Sequence, residues 1–425
     1  MRFAAAFLGL VLALFATQPT NADAEIALSR AEAPLNGPWA FRFGDDPRFA
    51  SAQLDDRAWE RVDLTPPPGA HDGDVGLPGY VPGWSARGHA GRWGHAWYRL
   101  HVRWSVPVGT TPVLLGPTLV DGAYEIYWNG KRIGGIGDFT ATPPRVYAVR
   151  PQLFQLGETE ASGEGVLAIH VYLPQELADD PEGGGIHVAP ILAEPTAGAA
   201  RHVAQWWKTF WGYVVDLVEP LALLSLALFA LSLWRFARSD RFVPFAAASV
   251  AAIAASRINQ PLFYWTDIES LQTVIIARYV IFNPLAVVLW VIACNRFAGR
   301  SDRRIDAAAC LLGVVAGIAA YPGFNAQLLQ SAARVALLAL FGWSVVSVAR
   351  VAHLRLLALA TMLVMAVALF PAELSAIGVQ GIWFPYGVGV SRTQYALALV
   401  IPLLGLLLHR RVCPAPQKLR HDVDR

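Results

Sequence analysis

Six ionisable side chains stand inside long apolar runs or at their ends: Asp216, Glu219, Arg257, Arg278, Arg334 and Glu373. In lipid an unpaired charge costs ~2.5–3.5 kcal/mol or more, so acids and arginines at a common depth are expected to pair. Asp216 and Glu219 are one turn apart and share a helix face. With three acids and three arginines near the outer ends of their helices, the pattern predicts a polar network inside a bundle. Asn259, Gln260, Asn283 and Gln394 could extend it. Two readings stay open. The network is a ligand- or signal-coupling pocket facing outward, or it is a set of salt bridges that fixes helix packing.

A second group of residues suits recognition. Gly79-Tyr-Val-Pro-Gly-Trp84 runs on through Arg87, His89, Arg92, Trp93 and His95. Aromatic faces with a few polar groups are what a sugar-binding surface needs, and such residues usually sit on loops of a rigid scaffold. Trp84, Arg87, His89, Arg92 and Trp93 are therefore the ligand candidates, whereas Trp39, Trp59 and Trp97 read as core aromatics. Catalysis is not expected. Glycoside hydrolysis needs two carboxylates at a set separation, and Asp45, Asp46, Asp55, Asp56, Asp72 and Asp74 stand in turn-like contexts where Asp serves the backbone. The chain shows no nucleophile elbow, no metal-ligand spacing and no phosphate loop, so catalytic residues, metals and cofactors are all predicted to be none.

These residues sit in two stretches with different solvents. Apolar residues make up 55% of the 425 and charged residues 16%, against about 45–50% and 25% in soluble domains. The excess lies beyond residue 205. Before it, Arg2, the apolar stretch 3–16 and Ala22-Asp-Ala24 read as a secretory signal over 1–24, cut before Glu25. Residues 25–200 are then exported. They hold none of the three cysteines, Cys294, Cys310 and Cys413, so that domain must stand on its core alone. Strands are predicted at 95–104, 123–128 and 166–172. Asn129-Gly130 supplies a type I′ hairpin turn, with the return strand starting at Lys131. An all-β sandwich follows.

Residues 201–411 divide into seven predicted spans, near 212–234, 242–264, 272–294, 304–322, 327–349, 354–375 and 391–409. Arginines mark every second loop: Arg235, Arg238 and Arg241; Arg296, Arg300, Arg303 and Arg304; Arg350 and Arg355; then Arg410, Arg411, Lys418, Arg420 and Arg425 in the tail. The other loops offer only Arg392. Positive residues stay inside, so the N-terminal domain is expected outside the cytoplasm and the C-terminus within it. Trp206, Trp207, Trp211, Tyr213, Tyr264, Trp265, Trp383 and Tyr386 form the aromatic belts. Pro220, Pro284 and Pro402 would kink three spans.

The ordered pieces Leu35-Asn-Gly-Pro-Trp-Ala-Phe-Arg-Phe-Gly-Asp-Asp46, Asp55-Asp-Arg-Ala-Trp59, Trp97-Tyr-Arg99 and Tyr127-Trp-Asn-Gly-Lys131 resemble the galactose-binding-like jelly roll at the front of family 2 glycoside hydrolases. Followed by seven helices, this resembles the bacterial seven-transmembrane receptors with diverse intracellular signalling modules. The resemblance implies an outer domain that senses a ligand, a carbohydrate or another small molecule, and helices that relay its state. The sequence departs from that pattern in residues 412–425, a polar tail with no folded effector, so the expected output runs through a separate cytoplasmic signalling protein. A transporter or membrane enzyme using the same charges, and an envelope sugar-binding protein, are the alternatives. His353 and His409 are the only histidines near span ends, which argues against a membrane hydrolase. The net charge of +2 and the lack of a basic tract exclude nucleic acid as a partner.

Overall fold

The computed structural model describes residues 24–27, 31–73, 75–105, 111–156, 162–324, 326–351, 354–381 and 390–413. The signal segment before Ala24, Asp74, His353, Trp383, Tyr386 and the tail residues Lys418, Arg420 and Arg425 lie outside the described residues. The chain forms two compact units. The first comprises residues 1–70, 78–144 and 149–206; the second comprises 71–77, 145–148 and 207–425.

The first unit is β-sandwich-like. Its large sheet runs β4 (Glu60–Val62), β3 (Trp39–Phe43), β5 (Gly94–Ser105), β11 (Ser162–Leu173), β8 (Ala123–Trp128) and β9 (Lys131–Ile136), with β1 (Ala24–Ala27) parallel to the end of β5. A smaller sheet runs β10 (Leu153–Gln155), β6 (Val113–Leu115), β13 (Ile191–Ala193) and β2 (Glu32–Pro34), and β12 (Gly185–Val188) pairs with β7 (Leu119–Asp121). The period of two along β5 sorts its side chains. Ala96, Tyr98, Leu100, Val102 and Trp104 are all buried on one face. His95, Trp97, Arg99 and His101 alternate with them on the other. The hairpin between β8 and β9 turns at Asn129 (φ 50°) and Gly130 (φ 82°), the two positive angles of a type I′ turn.

Both faces of the large sheet are covered. Ala40, Ala50, Trp59, Trp97 and Ala168 form a small second core, and Trp39, Trp59 and Trp97 are core aromatics as predicted. Within this cover Arg99 and Asp56, 0% and 4% exposed, pair at 2.9 Å, and His101 reaches the same carboxylate at 3.0 Å. Asp56 is thus a buried ion-pair partner, while Asp46 and Asp55 accept from the backbone N–H and guanidinium two residues on, as turn formers do.

The second unit is helical. Helix α1 (Pro195–Gly212), whose residues up to 206 belong to the first unit, precedes the first predicted span and has no counterpart among the elements predicted from the sequence. It is followed by α2 (Val214–Trp234), α3 (Phe242–Trp265), α4 (Leu271–Ile275), a π-helical segment (Ile276–Phe282), α5 (Asn283–Phe297), α6 (Arg303–Ala319), α7 (Gln327–Val348), α8 (Arg355–Leu369), α9 (Pro371–Ala376) and α10 (Arg392–Val412). Among the described residues, five helices are long and apolar enough to cross a membrane: 195–234, 242–265, 271–297, 327–348 and 392–412. Helices α6 and α8, at 17 and 15 residues, are shorter than the ~20 a bilayer requires. The sixth predicted span, 354–375, is broken because Pro371 has no N–H to continue the ladder past Phe370. Leu221, Leu224 and Leu228 of α2, and Leu311, Val314 and Ile318 of α6, are exposed apolar faces, whereas Leu223, Phe242, Val250, Trp290, Phe341, Met365 and Leu404 belong to the interior cluster.

One end of this unit gathers the arginine-bearing loops. Arg411 at the end of α10 pairs with Asp240 of the α2–α3 loop at 2.5 Å and lies 4.4 Å over the Phe297 ring at the end of α5. Arg300 lies over Trp343 of α7, and Arg296 pairs with Asp306. Segment 71–77 also belongs to this unit. Asp72 holds its turn by accepting the N–H groups of Val75 and Leu77, and Val75 and Leu77 pack with Tyr213, Tyr264 and Trp265.

Candidate functional site

The network predicted from the apolar runs exists in the helical unit, in two parts joined by a cavity. Helix α2 carries Asp216 in its first turn, where the helix dipole favours an anion. One turn on, Glu219 points the same way. Arg257 of α3 meets both, at 2.6 Å to Asp216 and 3.2 Å to Glu219. All three are almost fully buried. Gln394 joins from α10: its side-chain oxygen accepts from Ser391 N–H at 2.7 Å, and its Nε2 donates to Asp216 at 3.1 Å. The capping residue of one helix therefore hydrogen-bonds the acid that opens another.

In the second part, Arg334 of α7 grips Glu373 of α9 with two parallel bonds, Nε to Oε1 at 2.6 Å and Nη2 to Oε2 at 2.8 Å, and also donates to the Leu369 carbonyl at 3.2 Å. This fork geometry is the strong form of an arginine–carboxylate pair. The break at Phe370 makes it available, since Glu373 lies on its own short helix and not at the end of a continuous span.

Arg278 differs from the other two arginines. It donates to the Gln260 side chain at 3.3 Å and lies 5.4 Å over the Tyr279 ring, with no carboxylate in salt-bridge reach among the described residues. It sits in the π-helical segment, and the local sequence explains why. Pro284 has no N–H for the Val280 carbonyl, and Asn283 N–H instead bonds back to Arg278 O, five residues away. Helix α6 approaches this point through Gly317, where a Cβ would lie 2.4 Å from Val280 O. Small residues permit such close helix approach in a bundle.

Arg257, Arg278, Arg334 and Glu373 all line one cavity of about 820 Å³, whose wall is otherwise largely apolar and includes Leu338, Leu363 and Phe370. Of the six residues named from sequence, the cavity wall holds four, and Asp216 and Glu219 reach it through Arg257. Sequence reasoning missed Arg392. This residue is 2% exposed and donates to the carbonyls of Val379, Gln380 and Pro371 at 2.6–3.1 Å, so it holds the chain that follows α9. Its place in the first turn of α10, beside the capping Ser391, carried no signal of burial.

The loop residues proposed for ligand binding have mostly internal partners. Trp84 is 1% exposed and packs on Phe41 and Phe43, with its indole N–H donated to Arg92 O; it is a core residue, not a binding face. Arg87 donates to the carbonyls of Pro82 and Asp63, His89 meets Glu60 at 2.9 Å, and Arg92 lies over Phe43. Only Trp93, 52% exposed, leaves its ring open.

His95 lies in β5, as the predicted strand 95–104 has it, on the face shared with His170 of β11. Register makes His170 the diagonal neighbour of His95, since Tyr172 is directly opposite. Gly44 N–H bonds to His95 O at 3.0 Å and brings Asp45 alongside. Asp45, His95 and His170 therefore converge, although they are far apart in sequence and form no spacing motif. Burial, reinforced by His95, pushes the His170 imidazole down to about 3. Burial likewise lowers His95, with Asp45 opposing. Both rings are neutral near pH 7.

No family model matches the chain, and no curated protein matches it. Among solved structures it is similar to a Bacteroides uniformis beta-glucuronidase (19% identity, 38% of this chain and 18% of that one, TM-score 0.28). It is also similar to a glycosyl hydrolase family 2 member from Bacteroides cellulosilyticus (19% identity, 39% and 20%, TM-score 0.27), and to a Ruminococcus gnavus beta-glucuronidase (10% identity, 40% and 29%, TM-score 0.26). The chain thus spans about a fifth of the length of the first of these. At such TM-scores the likeness carries no conclusion about function. Fold and composition define the class: a membrane protein with a β-sandwich-like N-terminal part and a helical C-terminal part.

Proposed function

We propose that the chain is a bacterial membrane receptor, which senses an extracytoplasmic ligand and relays its state through the helices to a cytoplasmic signalling partner. On this reading the N-terminal unit is a galactose-binding-like jelly roll in the periplasm. Helices α2, α3, α4 to α5, α6, α7, α8 and α10 are seven spans of the inner membrane. The end that gathers Arg296, Arg300 and Arg411 is cytoplasmic, by the preference of arginine for that side. The network and its cavity then fall in the outer half of the bundle.

The observation that carries this reading is Arg278. A cation with no carboxylate in salt-bridge reach among the described residues, on a π-helical segment, beside a ligand-sized cavity, suits recognition better than packing. A packing network would pair it, as Arg257 and Arg334 are paired. The ligand this favours is small, with an anionic or hydroxyl-rich head and an apolar body; sugar acids and carbohydrates belong on the same trial list. The test is thermal unfolding of the detergent-purified chain across a panel of saccharides, uronic acids and small carboxylates. A ligand at one hundred times its Kd stabilises by about 2.7 kcal/mol, and a broad panel with no shift counts against the receptor.

A further inference from the structure

We propose that Asp45, His95 and His170 form a binding site for one divalent transition-metal ion of the zinc class, on the outer face of the large β-sheet.

The geometry supports this directly. His95 Nδ1 and His170 Nε2 are 3.0 Å apart, His95 Nδ1 and Asp45 Oδ1 3.3 Å, and His170 Nε2 and Asp45 Oδ1 3.2 Å. Three donor atoms form a nearly equilateral triangle. A tetrahedral zinc ion with bonds of about 2.0–2.1 Å has ligand-to-ligand edges of about 3.3 Å. An ion can therefore cap this triangle with shifts of a few tenths of an ångström. Two imidazoles and a carboxylate are a donor set for zinc and its first-row neighbours, not for calcium or magnesium, which take oxygen ligands.

The surroundings hold the donors in place. His170 stacks on Trp97 with ring centres 4.3 Å apart at 9°, Phe139 lies 5.1 Å from His170, and Tyr172 lies 4.9 Å from His95. Rings packed this way cannot easily turn away. The two imidazole nitrogens face each other at hydrogen-bond distance, so one proton lies between them when no ion is present; a cation would displace that proton and take all three donor atoms together. The ligands differ in exposure: the His170 side chain is 8% exposed, that of His95 19% and that of Asp45 63%. The fourth position of the ion thus opens to solvent on the Asp45 side, as in sites that keep one place for water or a ligand. This site is independent of the receptor reading.

The experiment uses the full chain without a polyhistidine tag, purified in detergent and stripped with chelator. Titration with Co²⁺ is expected to give one equivalent of bound metal with the intense visible bands of a tetrahedral site, displaced by Zn²⁺ and untouched by Ca²⁺ or Mg²⁺. D45N changes an exposed side chain, keeps its shape and preserves folding; it is expected to weaken Co²⁺ binding at least tenfold. H95Q is expected to abolish the tetrahedral bands, and H89Q, at a histidine that pairs with Glu60 and is not one of the three donors, to leave them unchanged. Absence of a stoichiometric site, or equal binding by the chain and by D45N and H95Q with unaltered melting curves, would overturn the proposal.

Discussion

A single nitrogen, Nη2 of Arg257, bonds both Asp216 at 2.6 Å and Glu219 at 3.2 Å, tying one helix to two acids a turn apart on its neighbour. Removing one partner of a buried pair leaves the rest uncompensated, at a cost of about 3–5 kcal/mol. R257M is therefore expected to lower the unfolding midpoint of the detergent-purified chain markedly. The triple change of R257M with D216N and E219Q, which removes all three charges together, should recover most of that loss. If the single and triple variants melt alike, the attraction between these residues is not what stabilises the α2–α3 contact.

The approach of α6 to the π-helical segment gives a sharper steric test. A Cβ on Gly317 would lie 2.4 Å from the Val280 carbonyl oxygen, a backbone atom that cannot swing aside. Overpacking of this kind costs about 1–3 kcal/mol. G317A should destabilise the protein by that order, whereas G342A, where nothing lies within 4 Å of the added methyl, should be neutral or stabilise it by up to about 1 kcal/mol through better helix propensity. Thermal unfolding of the two variants side by side decides it.

His187 makes the β-unit sensitive to pH. Its Nδ1 faces Val81 O at 2.9 Å and its Nε2 faces Asp121 Oδ2 at 3.0 Å, so both nitrogens meet acceptors and the doubly protonated ring satisfies both. Burial works against the charged ring, but the Asp121 hydrogen bond and charge outweigh it and hold the pKa above the usual imidazole value. For Asp121, burial is likewise overcome by His187 and by the Gly184 N–H, so its carboxyl stays below the usual range. The signs follow from linkage. The histidine contribution is complete below about pH 6.5 and fades as pH rises through the raised folded value. The aspartate contribution is complete above about pH 3.9 and fades as pH falls through the lowered one. Stability should therefore fall as pH rises above about 6.5, and D121N should flatten that limb; an unchanged limb in D121N refutes the pair as its source.

The two tryptophans of the former candidate loop should separate cleanly. W84A empties a core position between Phe41 and Phe43 and is expected to cost about 3–5 kcal/mol. W93A changes an exposed ring and should fall within about 0.5 kcal/mol. Chemical denaturation followed by tryptophan emission measures both, and a W93A loss equal to that of W84A would show that Trp93 has a packing role.

The strands, the Asn129-Gly130 hairpin and the positions of the apolar helices were legible because periodicity, turn chemistry and hydrophobic length are local properties. The pairing of Arg257 and Arg334 with acids was legible too, because the cost of burying a lone charge restricts what a bundle can contain; Arg278, expected to pair in the same way, has no carboxylate in salt-bridge reach among the described residues. What escaped was set by tertiary register. Asp45, His95 and His170 meet only because β5 and β11 align with Tyr172 opposite His95, and no spacing along the chain encodes that. Trp84 reads as a loop aromatic in sequence, yet backbone bonds from Trp84 N–H to Gly184 O and from Gly83 N–H to Glu182 O fold its loop inward. Helix α1 was hidden because its aromatic residues read as a membrane belt.

The last prediction separates recognition from packing at the cavity. Arg334 has a bidentate carboxylate partner, so R334A leaves Glu373 half-buried and unpaired, and a loss on the order of 3 kcal/mol is expected. Arg278 contacts Gln260 and the Tyr279 ring and makes no salt bridge among the described residues, so R278A should change stability by less than about 1 kcal/mol, the range of a single modest polar contact. With a ligand from the saccharide and carboxylate panel in hand, R278A should abolish the ligand-induced rise in melting temperature while the unliganded melting curve stays where it was. If R278A instead unfolds the protein as R334A does, Arg278 serves the packing of the bundle, and the receptor reading loses the observation on which it rests.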